Sequence, residues 1–281
     1  MCSFENMPDT YEKNRIRVSN DENFEQLIND IKSTKEFIYN FDFLNFNRSY
    51  HFDGENSIIS IDNILDSAHR SLHSIQLCCE NCNLADAHTL IRKYRDDLFF
   101  YLYILYVKSN SDIFSENEIS KHERNIIKWG KDDLKDLNIN EILIYIGKSN
   151  VAKEAISKYK LQNSFKKVSD DLNDFVHSNG KSFYNKPYQY YYNTKSIKKI
   201  IEKIKYEIDY ITSIFLFLLI LIRGDYIAST DYIDSLEIGF EPEEGSQYWV
   251  APFITEYIST KMILVSEEWG KYLRDKTFMD I

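Results

Sequence analysis

Between residues 90 and 100 the chain sets Arg92, Arg95, Asp96 and Asp97 among Leu90, Ile91, Tyr94, Leu98, Phe99 and Phe100. At helical spacing Arg92 and Asp96 stand one turn apart and can pair, which softens the cost of drawing charge toward a core. An arginine so placed has two uses. Its planar fork can hold a phosphate or carboxylate, or it can tie neighbouring helices together as a structural ion pair. A second constellation lies at the end of a later helix, where Asp170, Asn173 and His177 recur at i, i+3 and i+7, away from the apolar direction centred on Leu172. His177 there can serve as a general acid/base near neutral pH, oriented by the amide of Asn173. The plainer alternative is a surface or capping histidine favoured by the helix C-terminus.

Two further groups invite chemistry. Cys79 and Cys82 have zinc-like spacing and are flanked by His73 and His88. No second pair exists, and Cys79 continues an apolar stripe in which a free thiol packs as a small hydrophobe. Core packing is the expectation, with no metal and no cofactor. Tyr188 and Tyr190 lie near Lys181 and Lys186 in a tyrosine-rich stretch. They can stack on single-stranded bases beside the lysines, or fold back on the helices as part of a loop.

The elements that must position these residues follow from periodicity. Residues 1 to about 20 are polar and unpatterned and are expected to be a loose arm. A helix is expected over 23–39 on Phe24, Leu27, Ile28 and Ile31, and the alternation across 41–46 predicts a short strand or extended segment. From Ile61 a stripe of Ile64, Leu65, Ala68, Leu72, Ile75 and Cys79 marks a helix. The next, opening near Asp86, is apolar or aromatic on every side from Leu98 to Val107, which implies burial all round. Short helices are expected over 116–129 and 140–146. A long helix over 152–179 would end at Asn179-Gly180, residues that tolerate the left-handed backbone. The cleanest helical register runs from Ile197 to Ile222. After Gly224 and the acidic stretch Glu241 to Glu244 comes a last helix, entered near Pro252 and carrying Tyr257, Ile258, Val265 and Tyr272.

The fold class is therefore all-α, a multi-helix bundle with a fully buried central helix and a short irregular or extended N-terminal segment. The division expected is an N-terminal extension with one helix over 1–57 and a helical bundle domain over 58–281. The 281 residues include only 8 Gly and 4 Pro, which favours long helices with short connections.

At the arginine and histidine helices the chain resembles the HEPN-like and abortive-infection-type helical proteins of prokaryotes. The likeness spans about residues 61–180 and rests on the run from Leu90 to Leu98, followed by Leu172, Phe175, Val176 and His177. It implies an all-α, often dimeric protein of antiviral defence or toxin–antitoxin type, and a ribonuclease that needs no metal. Arg92 or Arg95 would be its basic member, and Asn173 and His177 its acid/base end. RNA, a protein partner or antitoxin, and a second copy of the chain are the partners it implies. The chain departs from the family at one point: no arginine lies four to six residues before His177, and Lys166 and Lys167 stand further back.

Composition narrows the alternatives. A formal net charge of −10 argues against a protein that coats nucleic acid without specificity. No glycine-rich phosphate loop, dinucleotide fingerprint, nucleophile elbow or H-E-x-x-H sequence occurs, which disfavours ordinary nucleotide hydrolases and metalloproteases. The first six residues lack a secretory pattern, and the apolar run over 214–222 falls short of the roughly 20 residues of a membrane helix. The expectation is a cytoplasmic location with no membrane partner. The competing functional reading is a non-enzymatic helical scaffold or sensor that binds a protein partner.

Overall fold

The computed structural model describes residues 7–46, 49–52, 57–110, 120–131, 133–134, 139–176 and 194–281. Helix α4 (Leu84–Ser109) is the axis of the bundle, and every side chain from Leu98 to Val107 is buried, as its all-round apolar sequence requires. Around it pack α3 (Asp62–Glu80), α8 (Leu161–Val176) and α9 (Thr194–Arg223), with α2 (Phe24–Leu44) closing the layer against α3 and α9.

Side-chain pairs fix the directions. His88 meets Glu207 and Tyr94 meets Thr212, so α4 and α9 run parallel. Asp171 meets Lys203 and Ser164 meets Tyr210, so α8 runs against α9, and hence against α4. Lys35 to Gln76 with Tyr39 to His69, and Ser67 to Asp97 with Ser71 to Lys93, set α3 antiparallel to both α2 and α4. Phe41, Tyr101 and Phe215 bring α2, α4 and α9 together in one aromatic knot, with ring centroids 5.8 to 6.2 Å apart.

The structure departs from expectation at several elements, and in each case packing overrides the local pattern. The polar start is not a loose arm but carries helix α1 (Met7–Ser19), which docks through the fully buried Val18 and is stapled by Arg15 to Glu12. The alternation over 41–46 is not a strand. Helix α2 continues to Leu44, because Phe37 and Phe41, one helical turn apart, are both buried, while Phe43 and Phe46 face outward. The extended structure lies just beyond, as an antiparallel hairpin of β1 (Ser49–Phe52) and β2 (Ser57–Ser60) in register Ser49↔Ser60 to Phe52↔Ser57.

Helix α5 (Lys121–Gly130) begins at Ser120, which forms a reciprocal capping box with Glu123. Helix α6 (Ile139–Ile146) presses Tyr145 on Tyr103 and Tyr106 of α4. The long helix expected over 152–179 is two helices, α7 (Asn150–Lys158) and α8, broken where Lys160 takes a left-handed φ of 50°. Its expected end at Asn179-Gly180 lies outside the described residues. Helix α9 ends at Arg223, and Gly224 opens a 3-10 turn. A short helix, α10 (Asp231–Glu237), was not legible in the sequence. The last helix is interrupted as well. Helix α11 (Pro252–Tyr257) passes through a π-helical turn (Ile258–Met262) into α12 (Ile263–Val265), and extended Ser266 separates these from α13 (Glu267–Lys276). Among the described residues no helix is long and apolar enough to cross a membrane.

Candidate functional site

Two polar centres lie inside the bundle, on different seams of α9. The first occupies the seam of α4, α8 and α9 and contains the arginines singled out by the sequence. Arg95 is buried, with 3% of its surface exposed, and donates from Nε and Nη2 to Oδ1 of Asp96 at 2.8 and 2.6 Å. Asp96 turns its other oxygen toward Arg92, whose Nε lies 3.8 Å away and whose side chain is only partly covered. One carboxylate thus bridges a buried and a half-buried guanidinium. Burial pulls Arg95 below the ordinary arginine range, and Asp96 opposes that shift.

The remaining nitrogen of Arg95, Nη1, is buried and has no hydrogen-bond partner. Across the seam, the ring of Phe99 packs on that of Phe165 at 4.4 Å. Arg95 precedes Phe99 by one turn and Ser169 follows Phe165 by one turn, so the antiparallel register sets them level, with Asn173 one turn further. The Oγ of Ser169 and the Oδ1 of Asn173 are also buried and without hydrogen-bond partners. A buried donor and two buried acceptors left unmade in one seam are unusual, because each orphan group costs about 1–3 kcal/mol.

The same seam holds a pair that sequence reasoning missed. His88, weighed there only as a flanking metal ligand, is 1% exposed and donates from Nδ1 to Glu207 Oε2 at 2.6 Å. Lys203 approaches the other Glu207 oxygen at 3.6 Å and Asp171 at 3.3 Å, linking α9 to α8. The signal was present in Glu207, a carboxylate at stripe spacing from both Ile204 and Ile211. Asp97, on the α3 side of α4, accepts from Lys93 and Ser67 at 2.6 and 2.9 Å, yet burial raises its pKa.

The structure brings Arg92, Arg95 and Asn173 to this one seam. His177, Lys181, Tyr188 and Tyr190 lie outside the described residues, His177 being the residue that follows the last of α8. No family model, no curated protein and no solved structure matches the chain.

The second centre lies where α2, α9 and the π-helical turn meet. Asp30 accepts from both Lys205 and Lys261. Burial pushes its carboxyl up, but the two ammonium groups outweigh that and hold its pKa below the usual carboxylate range. Asp209 lies 3.8 Å from Lys205, is 5% exposed, and is shifted the other way by burial. Deeper still, Tyr94 donates to Thr212 at 2.7 Å, since the threonine hydroxyl is itself committed to the Ile208 carbonyl at 2.8 Å. The Tyr257 hydroxyl faces those of Ser213 and Thr212, and one oxygen of Asp209 has no hydrogen-bond partner there. Burial, followed by the charges of Asp209 and Tyr94, drives the Tyr257 hydroxyl well above the ordinary tyrosine range.

The cysteines behave as packing groups. Cys79 is fully buried on α3, and burial raises its pKa. Cys82 takes a left-handed φ of 57° in the turn after α3 and donates its thiol to the Arg15 carbonyl at 3.4 Å. Its pKa is pushed up to about 11, chiefly by burial. Among the described residues no group of three His, Cys, Asp or Glu side chains could hold a metal ion.

Proposed function

We propose that the seam of α4, α8 and α9 is the working centre of the molecule, and that the chain is a HEPN-like ribonuclease of the prokaryotic defence or toxin type, acting in the cytoplasm. The observation that carries this reading is the unmade hydrogen bonding of Arg95 Nη1, Ser169 Oγ and Asn173 Oδ1 on facing helices. In this reading the three groups are kept for substrate, although apolar side chains or satisfied pairs would be cheaper for stability alone. Substrate oxygens and hydroxyls are the groups that such atoms await.

In this reading the half-buried Arg92 meets the phosphate, and the buried Arg95 fixes it in place through Asp96. Their charge stabilises the phosphorane as the ribose 2′-oxygen adds to phosphorus and the P–O5′ bond breaks. His177 takes the proton from the 2′-hydroxyl and returns one to the departing 5′-oxygen, with Asn173 setting its orientation. In this reading the reaction uses no metal, as the resemblance implies. A homodimer places two such seams together and supplies further basic groups across the two-fold axis.

A second reading has its own support. Ile233, Leu236, Ile238 and Phe240 are each half or more exposed beside Asp231, Asp234, Glu237 and Glu241. That surface suits a protein partner or antitoxin with a basic, apolar segment, and under this reading Arg92, Arg95 and Asp96 serve only to lock helices. Inducible expression in a bacterial host separates the two. Growth arrest with fragmentation of RNA in the wild type, abolished in His177→Ala, is the outcome expected of the ribonuclease. Equal fragmentation in the variant rejects His177 as its acid/base. Healthy growth and intact RNA with both chains turn the assignment to the scaffold.

A further inference from the structure

We propose that the face built by α10 and the segments folded back on it docks a basic amphipathic helix of a protein partner. The inference rests on the partner reading of this surface and names the chemistry that the partner must present. From Tyr226 to Thr260 the chain carries seven carboxylates and no lysine, arginine or histidine. Six of these, Asp231, Asp234, Glu237, Glu241, Glu243 and Glu244, lie in or just after α10, and all are exposed. Arg223, the nearest arginine before them in the chain, is committed to Asp225.

Large apolar side chains stand exposed among these carboxylates. Beyond Ile233 and Leu236 the backbone turns through Gly239, at a φ of 78°, and the Phe240 amide donates to the Ser235 carbonyl at 2.9 Å. That turn holds Ile238 and Phe240 beside the helix, each 69% exposed. A 3-10 turn (Ser246–Tyr248) packs on α10 and brings Tyr248, whose ring lies 6.0 Å from that of Phe278, 87% exposed. The Asp280 amide donates to the Tyr248 carbonyl at 2.9 Å and fixes Phe278 there. At about 200 Å² each, the rings of Phe240, Tyr248 and Phe278 leave about 400 Å² uncovered. With Ile233, Leu236 and Ile238 the face exceeds the roughly 300–600 Å² of the largest apolar patch on a typical monomer.

Charge and backbone together select the occupant. A second copy would set six carboxylates against six across a two-fold axis, and like charges so placed repel. Anionic lipid and nucleic acid are repelled in the same way. A segment rich in lysine and arginine is attracted. The described sheet is the β1–β2 hairpin, which packs on α5, so this face offers an extended segment no edge to pair with. A helix satisfies its own backbone and brings side chains alone, apolar anchors for the rings and basic groups for the rim. The face shares no residue with the arginine seam.

Fluorescence anisotropy of the intact chain with a labelled helical peptide of about 20 residues, leucine on one face and lysine on the other, tests it. One control peptide carries glutamate in place of lysine, and another serine in place of leucine. Saturable binding of the first peptide and of neither control is expected, weakening as salt rises. The paired change Ile238→Ser and Phe240→Ser, both on exposed side chains, should leave the melting temperature unchanged and weaken binding about tenfold or more. Glu237→Gln, Glu241→Gln, Glu243→Gln and Glu244→Gln together should weaken it about threefold or more and flatten its salt dependence. Absence of saturable binding, equal binding of a control, or unchanged affinity in either variant would overturn the assignment. Self-association of the chain that the serine pair abolishes would overturn it too, by giving the face to a second copy. Growth and RNA integrity play no part in this readout, so its failure rejects this face and leaves the partner reading to the expression assay.

Discussion

The two polar seams that flank α9 solve the problem of buried charge in opposite ways. At the α2 seam one carboxylate serves two ammoniums: Asp30 holds Lys205 and Lys261, and those interactions outweigh the burial of the carboxyl. At the α4–α8 seam one carboxylate serves two guanidiniums, but the pairing is incomplete. Asp96 satisfies two nitrogens of Arg95 and leaves the third without a partner, with Ser169 and Asn173 opposite it in the same condition. In the proposed reading the first arrangement is a lock and the second a site held open. Mutations should separate them, because removing charge from a lock costs stability, whereas removing it from an open site costs function.

The largest effect is expected at the lock. Asp30→Ala strands two ammonium groups, one of them buried, and should destabilise the chain by about 3–5 kcal/mol in urea unfolding. A loss below about 1 kcal/mol would show that the cluster is solvated and carries little. Next comes Glu207→Ala, which removes the partner of buried His88 and should cost about 1–3 kcal/mol.

Within the α2 seam the two aspartates should respond to pH with opposite sign. The pKa of Asp30 is lowered in the fold, so its contribution is full above the unfolded value of about 3.9 and is lost as pH falls through the lower folded value. Asp209 is raised, so its contribution is full below about 3.9 and is lost as pH rises through the folded value. Asp209→Asn should therefore match or exceed the wild type by up to about 1 kcal/mol at pH 7 and lose that advantage in acid. Urea midpoints between pH 3 and 7 test this, and an advantage that grows toward low pH contradicts the assignment. The smallest effect is expected from Ser213→Ala, which deletes the buried hydroxyl that faces Tyr257 and should cost about 1 kcal/mol or less.

The all-helical architecture was legible because burial wrote itself into the residues. The unbroken apolar run from Leu98 to Val107 required a helix covered on every side, and the register from Ile197 to Ile222 required one that is not interrupted. The failures have one physical origin, that tertiary contact overrides local pattern. Phe41, Phe43 and Phe46 alternate like a strand, yet Phe41 belongs to the aromatic knot with Tyr101 and Phe215, and the helix follows it. Helix α1 has almost no apolar stripe and forms against the bundle through Val18. Lys160, an unremarkable residue in sequence, breaks a helix because its backbone turns left-handed.

The polar centres were legible in part. Arg92 and Arg95 stood out as charges on a helix with little polar surface, and Asn173 by its spacing to Asp170 and His177, the last of which lies outside the described residues. The Asp30 cluster was not legible, because Asp30, Lys205 and Lys261 lie on three separate elements and each reads alone as an ordinary surface charge. His88 was read against the nearby cysteines, whereas its partner stands 119 residues away.

The central claim is that the arginine seam is kept for activity rather than stability. Its most direct test is Arg95→Met, measured in the purified chain for both RNA cleavage and thermal unfolding. Methionine fills the same space without a buried charge, so the melting temperature should hold or rise while cleavage falls by two orders of magnitude or more. A variant that cleaves RNA as the wild type does, or one that loses cleavage only because it unfolds, would contradict the account and return Arg95 to a structural role.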